Sequence, residues 1–493
     1  MTYVVKLGPH HSEAFKSIVG ILAGDSSSPG LWNIYFSDFS PPPHADDVAL
    51  GNQPMSHVEQ ADDIVLFSNS SEGLQAKLDI LFDWCRKNSM TISHDKTKIW
   101  IAGPLPSPLP SFSVGGHALS CVSKHKYVGI TLSSTDMSIF KEHYYIKASK
   151  ARKSMNALFG AEHFVGTIPP KDGISVYMAT VDPHITSACD VSIDIDSGSL
   201  AELERVQKTF IHRLLGIAKR SPVAMLFSET GMWPVKFHRL TLALRYWQYA
   251  LSLPNDHLLS YAMKDAITLA TNGKPSWMSD LRNALYRLRR PITIDLSRPW
   301  SPVDVDNIVD AVEQAYLKDI ETFIGSSPKA PLLHHHASCH SQNAYSQKSV
   351  VASFRPYLLV PVPAHRKALV RLLTSSHTLA VEVLRWAERR RPPVPHDQRL
   401  CRYCQVDVED EAHVLLYCTG CNDLGALRDQ FFRKVFRIVP LALISSLQSA
   451  PSGVEVIRLL IEGDDADVLC SFAKFVFHIL RIFQRLPVFR TEI

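Results

Sequence analysis

Apolar residues along the chain recur with two distinct periods, and they predict strands near the start and helices beyond. Residues 56–68 read SHVEQADDIVLFS, a polar turn containing Asp62 and Asp63 followed by the unbroken apolar run Ile64 to Phe67. Such a run predicts a strand buried on both faces, with the two acids at a hairpin tip. Asn69-Ser70-Ser71-Glu72 then reads as a capping box, opening a helix with Leu74, Leu78, Leu81, Phe82 and Cys85 on one face. From about residue 136 the period turns helical, as in Leu200, Leu203, Phe210, Leu214 and again in Leu240, Leu242, Leu244, Trp247, Leu251. The most apolar stretch, Val468 to Leu486, is broken by Lys474, His478, Arg481 and Arg485, which predicts an amphipathic helix packed on protein and no membrane span.

Punctuation divides the chain into an α+β part over residues 1–135, a mainly α-helical part over 136–325, and a third region. That third region comprises residues 326–400, 401–421 and 422–493. Gly325 to Gln347 reads as a loop or linker, Ala364 to Arg391 as a helix stopped by Pro392-Pro393, and Leu424 onward as terminal helices. No repeat of fixed period is present.

A length of 493 residues with 46% hydrophobic and 20% charged positions suits a folded chain of several domains and excludes global disorder. The net charge of +4 assigns any nucleic-acid footprint to local clusters. No secretory signal is visible, because Lys6, His10 and His11 interrupt the opening residues. Four of the nine cysteines fall between Cys401 and Cys421, which points to a reducing compartment and to metal. Cys401-x2-Cys404-x8-His413-x4-Cys418 has the two close pairs that a tetrahedral Zn²⁺ requires. Cys418-x2-Cys421 offers an alternative four-Cys ribbon with His413 merely nearby. His334 to His336, Cys339 and His340 read as a polar loop. Just upstream of the cluster, Arg385, Arg389, Arg390, Arg391, Arg399 and Arg402 face only Glu388 and Asp397, a concentration suited to phosphate contacts, with Trp386 and Tyr403 available to stack bases or to pack.

Two acids at a turn can converge on hard cations, and two-metal phosphoryl transfer needs such a cluster. Asp46-Asp47 in HADDVAL reads as a decoy, an ordinary solvated acidic pair.

The ordered context around Asp62 and Asp63 resembles the reverse transcriptase palm of non-LTR (LINE-type) retrotransposons, particularly fungal ones. Gly20 to Asp25, Ser28-Pro29, Leu31-Trp32-Asn33 and Tyr35 look like the family's block B. Met90 to Ile92 with Lys96-Thr97-Lys98 matches block D, and Tyr127-Val128-Gly129-Ile130 with Leu132 matches the primer-grip block E. The resemblance implies an RNA-directed DNA polymerase in which Asp62 and Asp63 hold Mg²⁺. Lys96, ahead of Lys98, would lie near the triphosphate, and Gly24, Ser28 and Pro29 near the nucleotide or template. It implies an RNA template and a DNA primer as partners, and an intracellular location as a nuclear or cytoplasmic ribonucleoprotein. The helical middle is similar to the family's thumb and post-polymerase region, with Arg205, Lys208 and His212 on a basic face. The cysteine cluster resembles its CCHC knuckle, which favours His413 over Cys421 as ligand; Arg389, Arg390 and Arg391, in the basic run just before it, are expected to contact nucleic acid.

Ala23 and Gln60 depart from the family pattern. Only 19 residues precede Gly20, so the upstream block with the family's first catalytic carboxylate is expected to be missing. The expectation is a 5′-truncated copy or partial gene whose product is inactive alone. A non-catalytic nucleic-acid-binding zinc-knuckle protein, or an inert remnant, is the alternative.

Overall fold

The structure, a computed structural model, describes residues 2–16, 25–51, 53–334, 351–387, 391–463 and 465–490. The chain divides into two compact units, residues 1–142 with 254–265 and residues 143–253 with 266–493.

The first unit combines short β-pairs with helices α1 (Ser28–Phe36) and α2 (Ser71–Lys87). Pro29 lies in the first turn of α1, where its missing N–H leaves nothing unpaired. Helix α2 is capped by Ser70, whose Oγ accepts from the Gly73 amide at 3.0 Å. The cap is therefore one residue later than the Asn69-Glu72 box expected from sequence. Gly73 then occupies the third position and carries no side chain to close a box. Leu78, Leu81 and Cys85 of α2 are buried, with Leu74 and Phe82 packed alongside, as the 3.6-residue period requires.

Strands β1 (His57–Gln60) and β2 (Asp63–Leu66) form an antiparallel hairpin in which Gln60 pairs with Asp63. Ile64 and Leu66 pack against Phe36, Phe39, Leu81 and Cys85. The expectation of a strand buried on both faces is corrected: Ile64, Val65 and Leu66 are all half-buried. Among the described residues the hairpin gains no third strand. Strand β3 (Lys98–Trp100) pairs in parallel with β5 (His117–Val122), which pairs antiparallel with β4 (Phe112–Val114). Ile99, Phe112, Val114 and Leu119 form a core with Leu78. Strands β6 (Lys124–Tyr127) and β7 (Ile130–Ser133) make a second hairpin.

Asp47 is no solvated decoy. It is 8% exposed and ion-paired with Lys77 of α2, which is 1% exposed and also donates to the Phe67 carbonyl at the end of β2. The Asp47 side chain also accepts from the His44 amide at 3.0 Å, and Asn69 donates to the Asp47 carbonyl at 3.1 Å. The loop before β1 is thus tied to the far end of β2.

In the second unit, α3 (Ser197–Leu215), α4 (Val235–Ser252) and α5 (Pro302–Ser326) belong to the helical middle, and α5 packs on α4. Helix α8 (Ala466–Phe483) packs on α6 (Pro363–Leu373) and α7 (Asn422–Ile438), burying Phe472, Val476, Ile479 and Phe483. No helix among the described residues is long and apolar enough to cross a membrane. The helix expected over 364–391 ends at Leu373, because Ser375 turns into the left-handed region at φ 47°, and only a short turn, Ala380–Val383, follows. On α3, Arg205 and Lys208 pair with Glu202 and Glu204, while His212 is buried and leaves the basic face predicted for it.

Burial pushes the Asp47 carboxyl up, but the His44 amide and the Lys77 ammonium outweigh it and hold the group below the usual carboxylate range. Its stabilisation is therefore complete above about pH 4 and is lost as pH falls through the lowered pKa. Asp47→Asn, which leaves Lys77 buried and unpaired, is expected to destabilise the first unit by about 3 kcal/mol at pH 7. The penalty should shrink in acid; a denaturant titration at both pH values checks it.

Candidate active site and candidate metal centre

The β1–β2 connection is two residues long, Ala61 and Asp62, so Asp62 sits in the turn and Asp63 begins β2. Ala61 has φ +55°, a left-handed conformation that a Cβ disfavours. Its carbonyl is held by the indole N–H of Trp32 at 2.7 Å. Trp32 stacks on Phe36 with centroids 5.9 Å apart, and Phe36 meets Trp84 edge-on at 4.7 Å. The helix that opens at Ser28-Pro29 thereby fixes the tip that carries the two acids. Ser28 is buried and Pro29 exposed; Gly24 lies outside the described residues.

Tyr127, the last residue of β6, lies within electrostatic reach of Asp63: burial raises its hydroxyl pKa and the Asp63 charge raises it further. The turn after it carries Val128 at φ +42° and Gly129 at φ +83°, the signs of a type I′ hairpin. A β-branched residue there is a genuine outlier. Sequence reasoning set these residues in block E by resemblance but saw neither the hairpin nor its strain, which a Val-Gly pair where Asn-Gly is usual could have signalled. Lys96 is exposed in the turn before β3, and its amide bonds the Ser93 carbonyl at 3.2 Å. Lys98 instead reaches Ser120 Oγ at 3.1 Å. Among the described residues, no third His, Cys, Asp or Glu joins Asp62 and Asp63 in a group able to hold a metal.

The cysteine cluster does bring such a group together. The ligand atoms of Cys401, Cys404, His413 and Cys418 all lie within 4.8 Å of one another. Cys401 Sγ and Cys418 Sγ are 3.6 Å apart, and Cys404 Sγ is 3.4 Å from His413 Nε2. Zinc–sulfur bonds of about 2.3 Å imply a tetrahedral S–S edge near ~3.8 Å, so the residues fit the ion. Cys421 lies outside the group. The first pair rides on a tight turn closed by the Leu400–Val408 bridge, with Gln405 at φ +56°. The second pair spans one π-helical turn, His413–Tyr417, closed by the Cys418 amide on the His413 carbonyl at 2.9 Å. That turn brings positions five apart onto one side, which is what a four-residue gap between ligands needs. Gly420 completes the fit, since a Cβ there would lie 2.7 Å from the Cys404 amide nitrogen. Burial lowers the His413 pKa, favouring the neutral imidazole that binds metal. Asp407 stands 3.5 Å from its Nδ1.

Residues 4–132 match the family model "Reverse transcriptase (RNA-dependent DNA polymerase)". No curated protein matches the chain. The matched span contains the Asp62–Asp63 tip, the helix from Ser28, Lys96 and Tyr127, so this part of the chain is a reverse transcriptase region.

The basic segment before the cysteines looks different in three dimensions. Arg402 donates to Glu409 and to the carbonyls of Thr378, Phe483 and Leu486 at 2.6–2.8 Å, pinning the C-terminal end of α8. Arg399 donates to the Val381 and Val394 carbonyls, and Arg385 pairs with Glu382 at 2.9 Å. Tyr403 likewise packs, its hydroxyl on the Ile482 carbonyl and its ring against Phe483. Arg391 is exposed; Arg389 and Arg390 lie outside the described residues, as do His335, His336, Cys339 and His340. His334 bonds the Ser327 carbonyl at 3.0 Å.

Val128→Asn restores the residue pair that a type I′ turn prefers and removes a strained β-branched side chain. It is expected to stabilise the protein by about 1 kcal/mol, read as a higher melting temperature.

Proposed function

We propose that the chain acts within the RNA-directed DNA polymerase of a non-LTR, LINE-type retrotransposon, fungal-like in its motifs, as part of an intracellular ribonucleoprotein. Residues 1–135 would contribute palm and residues 136–325 thumb, working on an RNA template and a DNA primer. The observation that carries this reading is the coincidence of the reverse transcriptase match with the Asp62–Asp63 tip and the Trp32 bond that fixes it. Asp62 and Asp63 would hold Mg²⁺, which stabilises charge on the attacking and leaving oxygens of phosphoryl transfer. Lys96, exposed and unburdened by the Ser120 contact that occupies Lys98, would face the triphosphate; Ser28, Pro29 and Gly24 would lie against nucleotide or template. Cys401, Cys404, His413 and Cys418 would hold Zn²⁺ as a structural ion, and Arg389, Arg390 and Arg391 would contact nucleic acid beside it.

A second reading, non-catalytic nucleic-acid binding, draws on the missing third ligand at Asp62 and Asp63 among the described residues. Two carboxylates give two ions too few oxygen ligands, so Mg²⁺-dependent primer extension by the 493-residue chain is expected near background. Robust extension that disappears in Asp62→Ala would show that a further carboxylate completes the site and would favour the enzyme.

Metal analysis of the purified chain is expected to find one zinc. His413→Ala should lower the content, whereas Cys421→Ala should preserve it. The opposite pattern would establish the four-Cys ribbon.

A further inference from the structure

The second unit gathers cations around one half-exposed indole, using residues far apart in sequence. Trp386 is 38% exposed and its ring N–H is anchored on Glu382 Oε1 at 3.0 Å. The Lys329 ammonium sits 4.1 Å from the ring centroid and the Arg220 guanidinium 5.9 Å from it. Lys329 and Arg385 both pair with Glu382, at 3.2 and 2.9 Å. The segment that carries Arg220 is fixed beside them: the Ala218 amide donates to Ser376 Oγ at 2.7 Å, and Arg371 Nε donates to the Gly216 carbonyl at 2.7 Å. Ser375 Oγ donates to the Lys329 carbonyl at 2.6 Å, so the same turn after α6 braces both.

Glu382 is the one carboxylate in these contacts, it is buried, and two cations already share it. Lys219, Arg220 and Arg371 are exposed: Arg220 faces the ring, Lys219 precedes it on the same loop, and Arg371 is bonded to the start of that loop, which adds positive charge beside an aromatic surface. Phosphates bind where cations outnumber acids, and bases stack on exposed rings. The geometry points to a single-stranded nucleic-acid site centred on Trp386, in which Lys219, Arg220 and Arg371 take phosphates and the indole takes a base. The site deepens the nucleic-acid reading given above and rests on it. Of its members only Arg385 and Trp386 belong to the Arg385–Arg402 stretch, and Arg389, Arg390 and Arg391 are not among them.

Fluorescence anisotropy of a labelled single-stranded oligouridine, titrated over a range of salt, tests it on the full chain. Lys219→Ala/Arg220→Ala should weaken binding and flatten the logarithmic salt slope by about 1.4, near ~0.7 per lost single-strand phosphate contact. Trp386→Ala should weaken binding roughly tenfold with the slope unchanged. Arg433→Ala/Lys434→Ala, the same charge loss on exposed positions of α7, should change neither. Equal losses in that control, or no loss in the Lys219/Arg220 variant, would overturn the site while leaving the general reading intact. A wild-type chain that fails to bind oligouridine would overturn both. Because Lys219 and Arg220 lie on an exposed loop, the double variant remains informative even where Trp386→Ala disturbs folding, which melting curves monitor.

Discussion

Lys77, Arg239 and Arg402 are long cationic side chains with 7% or less of their surface exposed, and each sits at a junction between segments distant in sequence. A charge withdrawn from water must recover what it loses through a counter-ion and hydrogen bonds. Lys77 does so with Asp47 and the Phe67 carbonyl. Arg239 does so with Asp194 at 2.9 Å, the Ile185 carbonyl and the Tyr144 hydroxyl. Arg402 does so with Glu409 and three carbonyls. Each cation therefore dictates where several loops and helix ends must lie. In the first unit this constraint fixes the approach to the β1–β2 hairpin; in the second it ties the cysteine turn to the end of α8.

The acidic tip shows how such a framework tolerates local strain. Ala61 and Val128 both hold left-handed backbone at two-residue turns, one beside Asp62 and Asp63 and one beside Tyr127. Strain of this kind persists where surrounding contacts over-determine the conformation. For Ala61 the contact is visible: Trp32 bonds its carbonyl, and the aromatic cluster of Phe36, Phe39 and Trp84 fixes Trp32 in turn.

Charge counted along the chain and charge presented to a ligand are different quantities. The arginines of residues 385–402 form a dense basic run in sequence, yet Arg399 and Arg402 spend their guanidinium groups on buried carbonyls and Glu409. The exposed arginine that faces the Trp386 ring, Arg220, comes from elsewhere, on the loop after α3. The cysteine turn accordingly reads as an integral part of the C-terminal body, with the clustered side chains of Cys401, Cys404, His413 and Cys418 on one side of the loop and Arg402 on the other.

Local periodicity and ligand spacing were enough to place α2, α8, the Asp62–Asp63 turn and the Cys401, Cys404, His413, Cys418 set, because each depends on side chains within a few residues of one another. The same local logic failed where partners come from afar. It took Asp47 for a solvated acid, because Lys77 lies thirty positions away. It set His212 on an open face and carried one helix through Ser375, because burial and turn geometry arise only when segments pack. It read six arginines as one surface. Only the tertiary structure decides which charges water can still reach, because that depends on what packs over them and not on their neighbours in sequence.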